Sequence, residues 1–501
     1  MSELEKYFDR FRRNIIGIDT EIETPYGTKK LIYADWIASG RLYGPIEKKI
    51  TENVGPMVGN THSESTSTGK AMTDAYHHAQ KIVKHHVNAN DNDILIFTGT
   101  GMTSAIAKLQ RLLGLKVPEQ AIKFCSFSHG DYKNCKDIPN DKRPVVFLTH
   151  TEHHSNHTSW LETIADIVQL SPDKELLVDP EQLKIELEKY KDRKMKIGSF
   201  TACSNVTGIA TPYHEMARIM HENGGLCFID FAASAPYVDI DMHPEDPLQA
   251  LDAIFFSPHK FLGGPGSSGV LVFNSAIYNN SVPDNPGGGT VDWTNPWGEF
   301  KYIDDIETRE DGGTPGFLQA IRTALCIELK NAMGVGNIKK REKELVQIAF
   351  AELEKIEGLH ILANNIQRRL GIISFYIDHL HFNLAVKLLN DKFGIQVRGG
   401  CACAGTYGHF LLDVSHDQSN QITQQINFGD LSHKPGWIRL SLHPTMTNEE
   451  LCFITDAIRQ VQKNHNDWGK DYTYNHKTNE FRHHNEPEEK TKLVIKWFEL
   501  E

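Results

Sequence analysis

At 501 residues the chain is long enough for two or three domains with substantial cores. Its 40% hydrophobic and 24% charged residues are those of an ordinary soluble globular protein, and a net charge of −12 argues against a nucleic-acid footprint. No apolar stretch approaches a membrane span, and eight scattered cysteines suggest no disulfide framework, so a reducing cytoplasm is the expected location.

Residues 1–32 read as a charged amphipathic helix without a signal-peptide core, then a hairpin of IGIDTEIE and TKKLIYAD turning near Pro25-Tyr26-Gly27. From about residue 45, strands and helices alternate. Apolar strands are predicted at 94–99, 145–150, 196–202, 226–232, 253–256 and 269–273, with amphipathic helices at 70–87 and 212–225 between them. Near-continuous apolar strands alternating with helices predict an α/β fold with a buried, mostly parallel sheet. GGTPGF at 312–317 marks a boundary; helices at 318–333 and 337–356 then lead into a mixed α+β stretch ending near 465. The organisation expected is an N-terminal helix and hairpin (1–32), a large domain (33–320), a smaller C-terminal domain (321–465) and an extension (466–501). The extension closes on TKLVIKWFELE, which reads as an edge strand.

The run FFSPHKFLGGPGSSGVLVF places Lys260 after Ser257, Pro258 and His259, at the end of one apolar strand and before a glycine-rich turn into another. About one βαβ unit upstream, Asp230 ends the strand LCFID. A lysine amine for a Schiff base and a carboxylate to keep a pyridine nitrogen protonated are what pyridoxal phosphate (PLP) chemistry needs. Singly, either residue reads as a surface lysine or an N-cap aspartate. In TGTGMTSAIAKLQ a glycine turn opens a helix, so Gly101, Met102 and Thr103 form a candidate phosphate cradle to which Ser257 and His259 can add donors. Thr314 is a further hydroxyl on a tight turn.

In TEHHSNHTSW, His153 is placed to stack on a ring; His153 and His157 are four apart, but no third metal ligand is evident, so no metal is expected. Asn205 follows the strand KIGSFTA and can donate to a ring oxygen, or cap the next turn. The loop GIQVRGGCACAGTYGH carries Cys401 and Cys403 between glycines, with Arg398 five residues before Cys403 to favour thiolate; the rival readings are a metal pair or two buried small residues. Arg439, in the strand GWIRLSL before a capped helix, is the stronger candidate for binding a substrate carboxylate, and Arg398 the second. The histidine pairs at 77–78 and 85–86 read as helix surface, and His379 and His381 as the border of a strand.

From about residue 33 to 465 these motifs resemble, in order, the class V aminotransferase family, nearest to cysteine desulfurases and selenocysteine lyases. The resemblance rests on IYADWIASG, NTHS at 60–63, the turn at 101–103, EHHSNHTSW, SNVTG, Asp230, SPHK, GGGT at 287–290, GGTP at 312–315 and VRGGCACA. It implies fold type I of the PLP-dependent transferases and a homodimer with active sites at the interface. It also implies an amino-acid substrate, sulfur or selenium removal to leave alanine, and a sulfur-acceptor protein. Lys260 takes the Schiff-base place and Asp230 that of the ring-nitrogen partner. His153 stacks on the ring and Asn205 lies near its oxygen. Met102, Thr103, Ser257 and His259 hold the phosphate, with Thr314 entering from the neighbouring subunit. His62 is an active-site residue for substrate, Arg439 and Arg398 bind its carboxylate, and Cys403 rather than Cys401 takes the persulfide place. The chain departs from the family at Ala233, where a glutamine is usual, in the long 405–436 connection, and at both termini. Molybdenum-cofactor sulfurases share several motifs. The alternative activity is another class V reaction, an epimerase, aminotransferase or β-lyase, in which the cysteine loop is not catalytic.

Overall fold

The computed structural model describes residues 2–61, 63–121, 138–139, 142–486 and 494–500. The chain divides into two compact units, Ile37–Lys339 and Met1–Trp36 with Lys340–Glu501.

In the larger unit the described residues form a seven-stranded sheet, ordered Asp93–Thr98, Gly269–Asn274, Ala253–Phe256, Leu226–Asp230, Lys196–Thr201, Val145–Leu148, Asp166–Gln169. Six strands share one direction; Gly269–Asn274 is antiparallel to both its neighbours. The central strands are buried along their whole length because they are apolar on both faces and helices cover both. Helix Met102–Leu112 buries Ala105, Ile106, Leu109 and Leu112, a helical stripe, and Trp160 from helix His154–Leu161 lies flat on Phe228, ring centroids 6.5 Å apart. Strand Asp166–Gln169 escaped the sequence pattern: it is a four-residue, half-exposed edge. Lys108 is buried against Glu310 (2.9 Å), whose other oxygen accepts the Tyr278 hydroxyl at 2.7 Å.

Helix Phe317–Met333 packs along helix Ser67–His86 and so belongs to the larger unit, beyond the expected boundary at 320. His77, His78 and His85 are exposed, but His86 turns inward, its Nε2 3.3 Å from Nζ of the buried Lys330. Burial and that neighbouring cation hold the His86 imidazole well below its usual range. Lys330 also donates to the carbonyls of Ala235 (2.7 Å) and Val238.

The smaller unit centres on an antiparallel sheet ordered Leu359–Ile361, Ile372–Ile377, Trp437–Ser441, Arg398–Gly400. Helices Phe382–Phe393 and Asn448–Trp468 pack together beside it. The N-terminal segment joins this unit: Ile32–Tyr33 pairs in parallel with Ile395–Gln396, and Arg12 forks onto the Glu450 carboxylate at 2.7 and 2.5 Å. The 405–436 connection carries helices Gly405–Leu411 and His416–Asn427, the second opened by a Ser415–Gln418 capping box. A hairpin, Tyr472–Asn475 with Glu480–His483, follows. The closing edge strand is not formed where it is described: Val494–Phe498 makes an exposed turn closed by Trp497 N–H to Val494 O and Phe498 N–H to Ile495 O. Among the described residues no helix is long and apolar enough to cross a membrane.

Candidate active site

In the larger unit, Lys260 ends a single helical turn, Pro258–Lys260, that follows the buried strand Ala253–Phe256. The turn is fixed by its backbone. Phe261 N–H bonds to Pro258 O at 2.9 Å, and Gly40 N–H bonds to His259 O at 2.9 Å. Gly40 admits no side chain there, since a Cβ would stand 1.9 Å from Phe261 O.

Beside this turn, helix Met102–Leu112 begins at Gly101 with no side-chain cap. Met102 N–H donates to Ser257 Oγ at 2.8 Å, and the His259 ring donates from Nδ1 to Thr100 O at 3.0 Å. Burial holds His259 below its usual pKa, the hydrogen bond to Thr100 opposes this, and the charge of Lys260 adds to the lowering. A Cβ on Gly101 would meet Ser257 Oγ at 2.9 Å and His259 Cε1 at 3.0 Å. These residues bring a helix N-terminus, a hydroxyl and an imidazole to one place, which suits an oxyanion. Thr103 Oγ1 bonds Ser155 Oγ at 2.7 Å, tying the cradle to the start of helix His154–Leu161. Gly101→Ala should keep the fold, because Gly101 is extended (φ 175°), yet crowd the cradle. Overpacking of about 1–3 kcal/mol against Ser257 and His259 predicts a lowered melting temperature together with a weaker PLP affinity, read by thermal melting and absorbance titration.

Asp230 closes its strand, in register with Thr201 on one side and Phe255 on the other. It is 3% exposed; Oδ1 accepts Ala232 N–H at 2.8 Å. Burial pushes its pKa up to about 6, against the hydrogen bond from Ala232 and the charge of Lys260. His153 sits at the N-cap of helix His154–Leu161, where its Nδ1 accepts Ser155 N–H at 3.1 Å, so the other ring nitrogen carries the proton. Asn205 is buried in the turn after strand Lys196–Thr201. Glu152, which the sequence reading passed over, is fully buried just ahead of His153. It accepts Thr149 Oγ1 (2.6 Å), Thr201 N–H (2.9 Å) and Asn156 Nδ2 (2.7 Å). Burial still raises it to about 8, the charge of Asp230 contributing. The Thr149–Glu152 spacing directly after an apolar strand was its only signal.

Thr314 Oγ1 donates to Asn60 Oδ1 at 3.3 Å on an exposed turn, and Gly313 N–H bonds Gly288 O at 2.8 Å. No contact among the described residues joins Thr314 to the cradle within one subunit. His62 lies outside the described residues.

The cysteine loop belongs to the smaller unit. Arg398 and Arg439 face each other across adjacent strands, and Asp35 sits between them. Arg439 Nη2 donates to Asp35 Oδ1 at 2.8 Å, and Arg398 Nε lies 3.3 Å from Oδ2. The Arg439 side chain is 3% exposed and that of Arg398 is 48% exposed, so a ligand in solvent reaches Arg398 more readily. Burial lowers the Arg439 pKa; Asp35, and more weakly Cys403, pull it back up. Ala402 and Cys403 both take left-handed backbone (φ 50° and 56°), an unfavourable conformation for two successive side chains. Cys403 is exposed and Cys401 half-buried, whereas Cys227 and Cys326 are buried with thiol pKa values raised by that burial. Among the described residues no cluster could hold a metal ion.

A lysine turn, a buried carboxylate and an oxyanion cradle at the ends of a mostly parallel sheet are the large-domain layout of fold-type-I PLP enzymes. The chain belongs to the class V aminotransferase family: the model for "Aminotransferase class-V" matches residues 133–452. Among curated proteins it is 28% identical over 382 residues to "Probable cysteine desulfurase" of Halalkalibacterium halodurans, covering 75% of this chain and 84% of that one. A protein of the same name from Staphylococcus epidermidis is 28% identical over 391 residues, covering 76% and 85%. Among solved structures, a cysteine desulfurase from Thermococcus onnurineus aligns with a TM-score of 0.68 at 22% identity, covering 86% and 95%. One from Escherichia coli aligns at 0.68 and 19% identity, covering 91% and 98%. At those identities the structures establish the shared fold.

The residues fit PLP. The space a Gly101 Cβ would fill lies against Ser257 and His259. An ionised Asp230 is costly as it stands: a rise from 3.8 to about 6 corresponds to about 3 kcal/mol. A protonated ring nitrogen offsets that cost. Above pH 6 the free carboxylate is ionised and ready for a cation; below 6 it holds a proton that binding must displace. PLP affinity should therefore fall by up to about tenfold per pH unit below 6. Asp230→Asn should bind more weakly above pH 6 and lose that dependence, read by fluorescence titration.

Proposed function

We propose that this enzyme is a PLP-dependent cysteine desulfurase or selenocysteine lyase that leaves alanine. The observation that carries the reading is Cys403, an exposed thiol held in a left-handed turn five residues beyond Arg398, in a chain of this family. Relatives bearing the desulfurase name at 28% identity support it.

PLP, when bound, supplies an electron sink that makes the substrate's α-proton acidic. The chain's residues do the rest. The 101–103 turn, Ser257 and His259 hold the phosphate, and Thr314 of a second subunit completes that site in a homodimer. Asp230 keeps the ring nitrogen protonated, His153 packs on the ring face and Asn205 donates to its oxygen. Arg398 and Arg439 take the substrate carboxylate, and His62 is a further residue for substrate. Lys260 Nζ removes the α-proton and returns a proton. Cys403 thiolate attacks the substrate sulfur: its new S–S bond forms as the C–S bond breaks, and the electron pair stays on carbon. Protonation of that carbon leaves alanine, and an acceptor then clears the sulfur. The site of action is the cytoplasm.

The test is incubation of the PLP-loaded protein with cysteine, selenocysteine and other amino acids. Alanine in step with sulfide or selenide is the expected result. Racemised or transaminated product without alanine would instead establish an epimerase or aminotransferase.

A further inference from the structure

The smaller unit contains a cleft of about 860 Å³, within the size range of small-molecule sites. One wall is the cysteine turn, with both Cys401 and Cys403 facing the space. The others are helix Phe382–Phe393, strand Arg398–Gly400, Leu431 and Lys434 of the long connection, and the tip of the hairpin at 478–482. Part of the lining, Leu431, Lys434 and residues 478–482 with Glu486, comes from segments by which this chain departs from its family's pattern.

Its charge is unbalanced. Lys387, Arg398, Lys434 and Arg482 line it, against Glu480 and Glu486. Glu486 is engaged by Lys387 at 2.6 Å and approached by Arg482 at 3.8 Å. Lys434 is exposed and makes no ion pair among the described residues. Arg398 is held by Asp35 at 3.3 Å, so Lys434, and Arg482 with its 3.8 Å approach to Glu486, are the least compensated cations beside the two thiols.

Resting on the desulfurase reading, we infer that this cleft is a sulfur-exit site that seats a low-molecular-weight thiol bearing carboxylates. A thiol clears a cysteine persulfide without any added oxidant or reductant. The acceptor thiolate attacks the outer sulfur of the Cys403 persulfide. The new S–S bond forms as the bond from that sulfur to Cys403 breaks. The proton stays on the transferred sulfur, the electron pair leaves with the Cys403 thiolate, and no net oxidation occurs. Lys434 and the exposed Arg482 hold the acceptor's carboxylates, and the volume suits a molecule of tripeptide size.

The test uses the full-length protein with glutathione as acceptor and S-methylglutathione, which cannot react, as binding probe. Cys403 is loaded with sulfur from polysulfide, so loading does not depend on turnover of cysteine. The rate of sulfur transfer should saturate with glutathione, and S-methylglutathione should compete. Lys434→Glu and Arg482→Glu, both at exposed positions, should each weaken probe binding at least fivefold by calorimetry at an unchanged melting temperature. Lys434→Ala should weaken it less than Lys434→Glu. Strictly linear dependence on glutathione, no probe binding, or binding indifferent to charge reversal would each overturn the proposal. A wild-type protein that binds the probe but forms no alanine from cysteine would sink the desulfurase reading and, with it, the sulfur-exit role.

Discussion

Lys260→Ala is expected to abolish turnover while leaving the fold intact. The turn that carries Lys260 is held by main-chain bonds, Phe261 N–H to Pro258 O and Gly40 N–H to His259 O, and neither uses the lysine side chain. Loss of Nζ removes both the covalent anchor for PLP and the base that moves the α-proton. A positioned general base alone is worth about 10²–10⁴-fold, so activity should fall by at least that range. Lys260 also lowers the Asp230 pKa by its charge, so the variant should move Asp230 further up from about 6. PLP should then bind more weakly, and borohydride should no longer fix it to the protein. Lys260→Arg should not rescue, because a guanidinium stays protonated. Small primary amines should restore part of the rate. Full activity together with a reducible linkage in the alanine variant would place the attachment elsewhere.

What the sequence made legible, and what it hid, divides along physical lines. The buried strands of the large sheet stand out because burial on both faces demands an unbroken apolar run; VVFL and AIFF carry it in the interior of the sheet, and ILIF carries it at one covered edge. The four residues Asp166–Gln169, at the opposite edge, do not, since that short strand is only half-buried. Lys260 and Asp230 could be singled out because each ends such a run. Glu152 and Lys330 could not, because a charged residue is expected in water until its partners are known. Lys330 becomes intelligible only when the turn after Asp230 folds its carbonyls onto it. Asp35 shows the same limit more sharply. Its partner Arg439 is 404 residues away, and the pair follows from strand register that no local pattern encodes. The closing TKLVIKWFELE has strand-like composition, but composition cannot supply the neighbouring edge a strand needs.

Cys403→Ala should lose cysteine desulfuration while still binding PLP, because its residues belong to a different unit from Lys260 and Asp230. The substitution is unusually clean. Cys403 has φ 56°, and alanine meets the same left-handed cost as cysteine, so the variant isolates the sulfur atom from backbone strain. Cys403→Gly adds the complementary control: it removes the strain, about 1–2 kcal/mol, along with the thiol. If the glycine variant is more stable than the alanine variant yet equally inactive, thiol chemistry and not loop geometry sets the rate. Selenocysteine should be the more tolerant substrate, since selenium departs more readily without thiolate help. Cys401→Ala should be milder, because Cys401 is half-buried whereas Cys403 is exposed. Mass spectrometry after brief exposure to cysteine should find one added sulfur on the 399–411 region of wild type and none in Cys403→Ala. Normal desulfuration in both cysteine variants, with no sulfur on the loop, would make the left-handed turn a structural feature and favour the β-lyase reading, in which the cysteine loop is not catalytic.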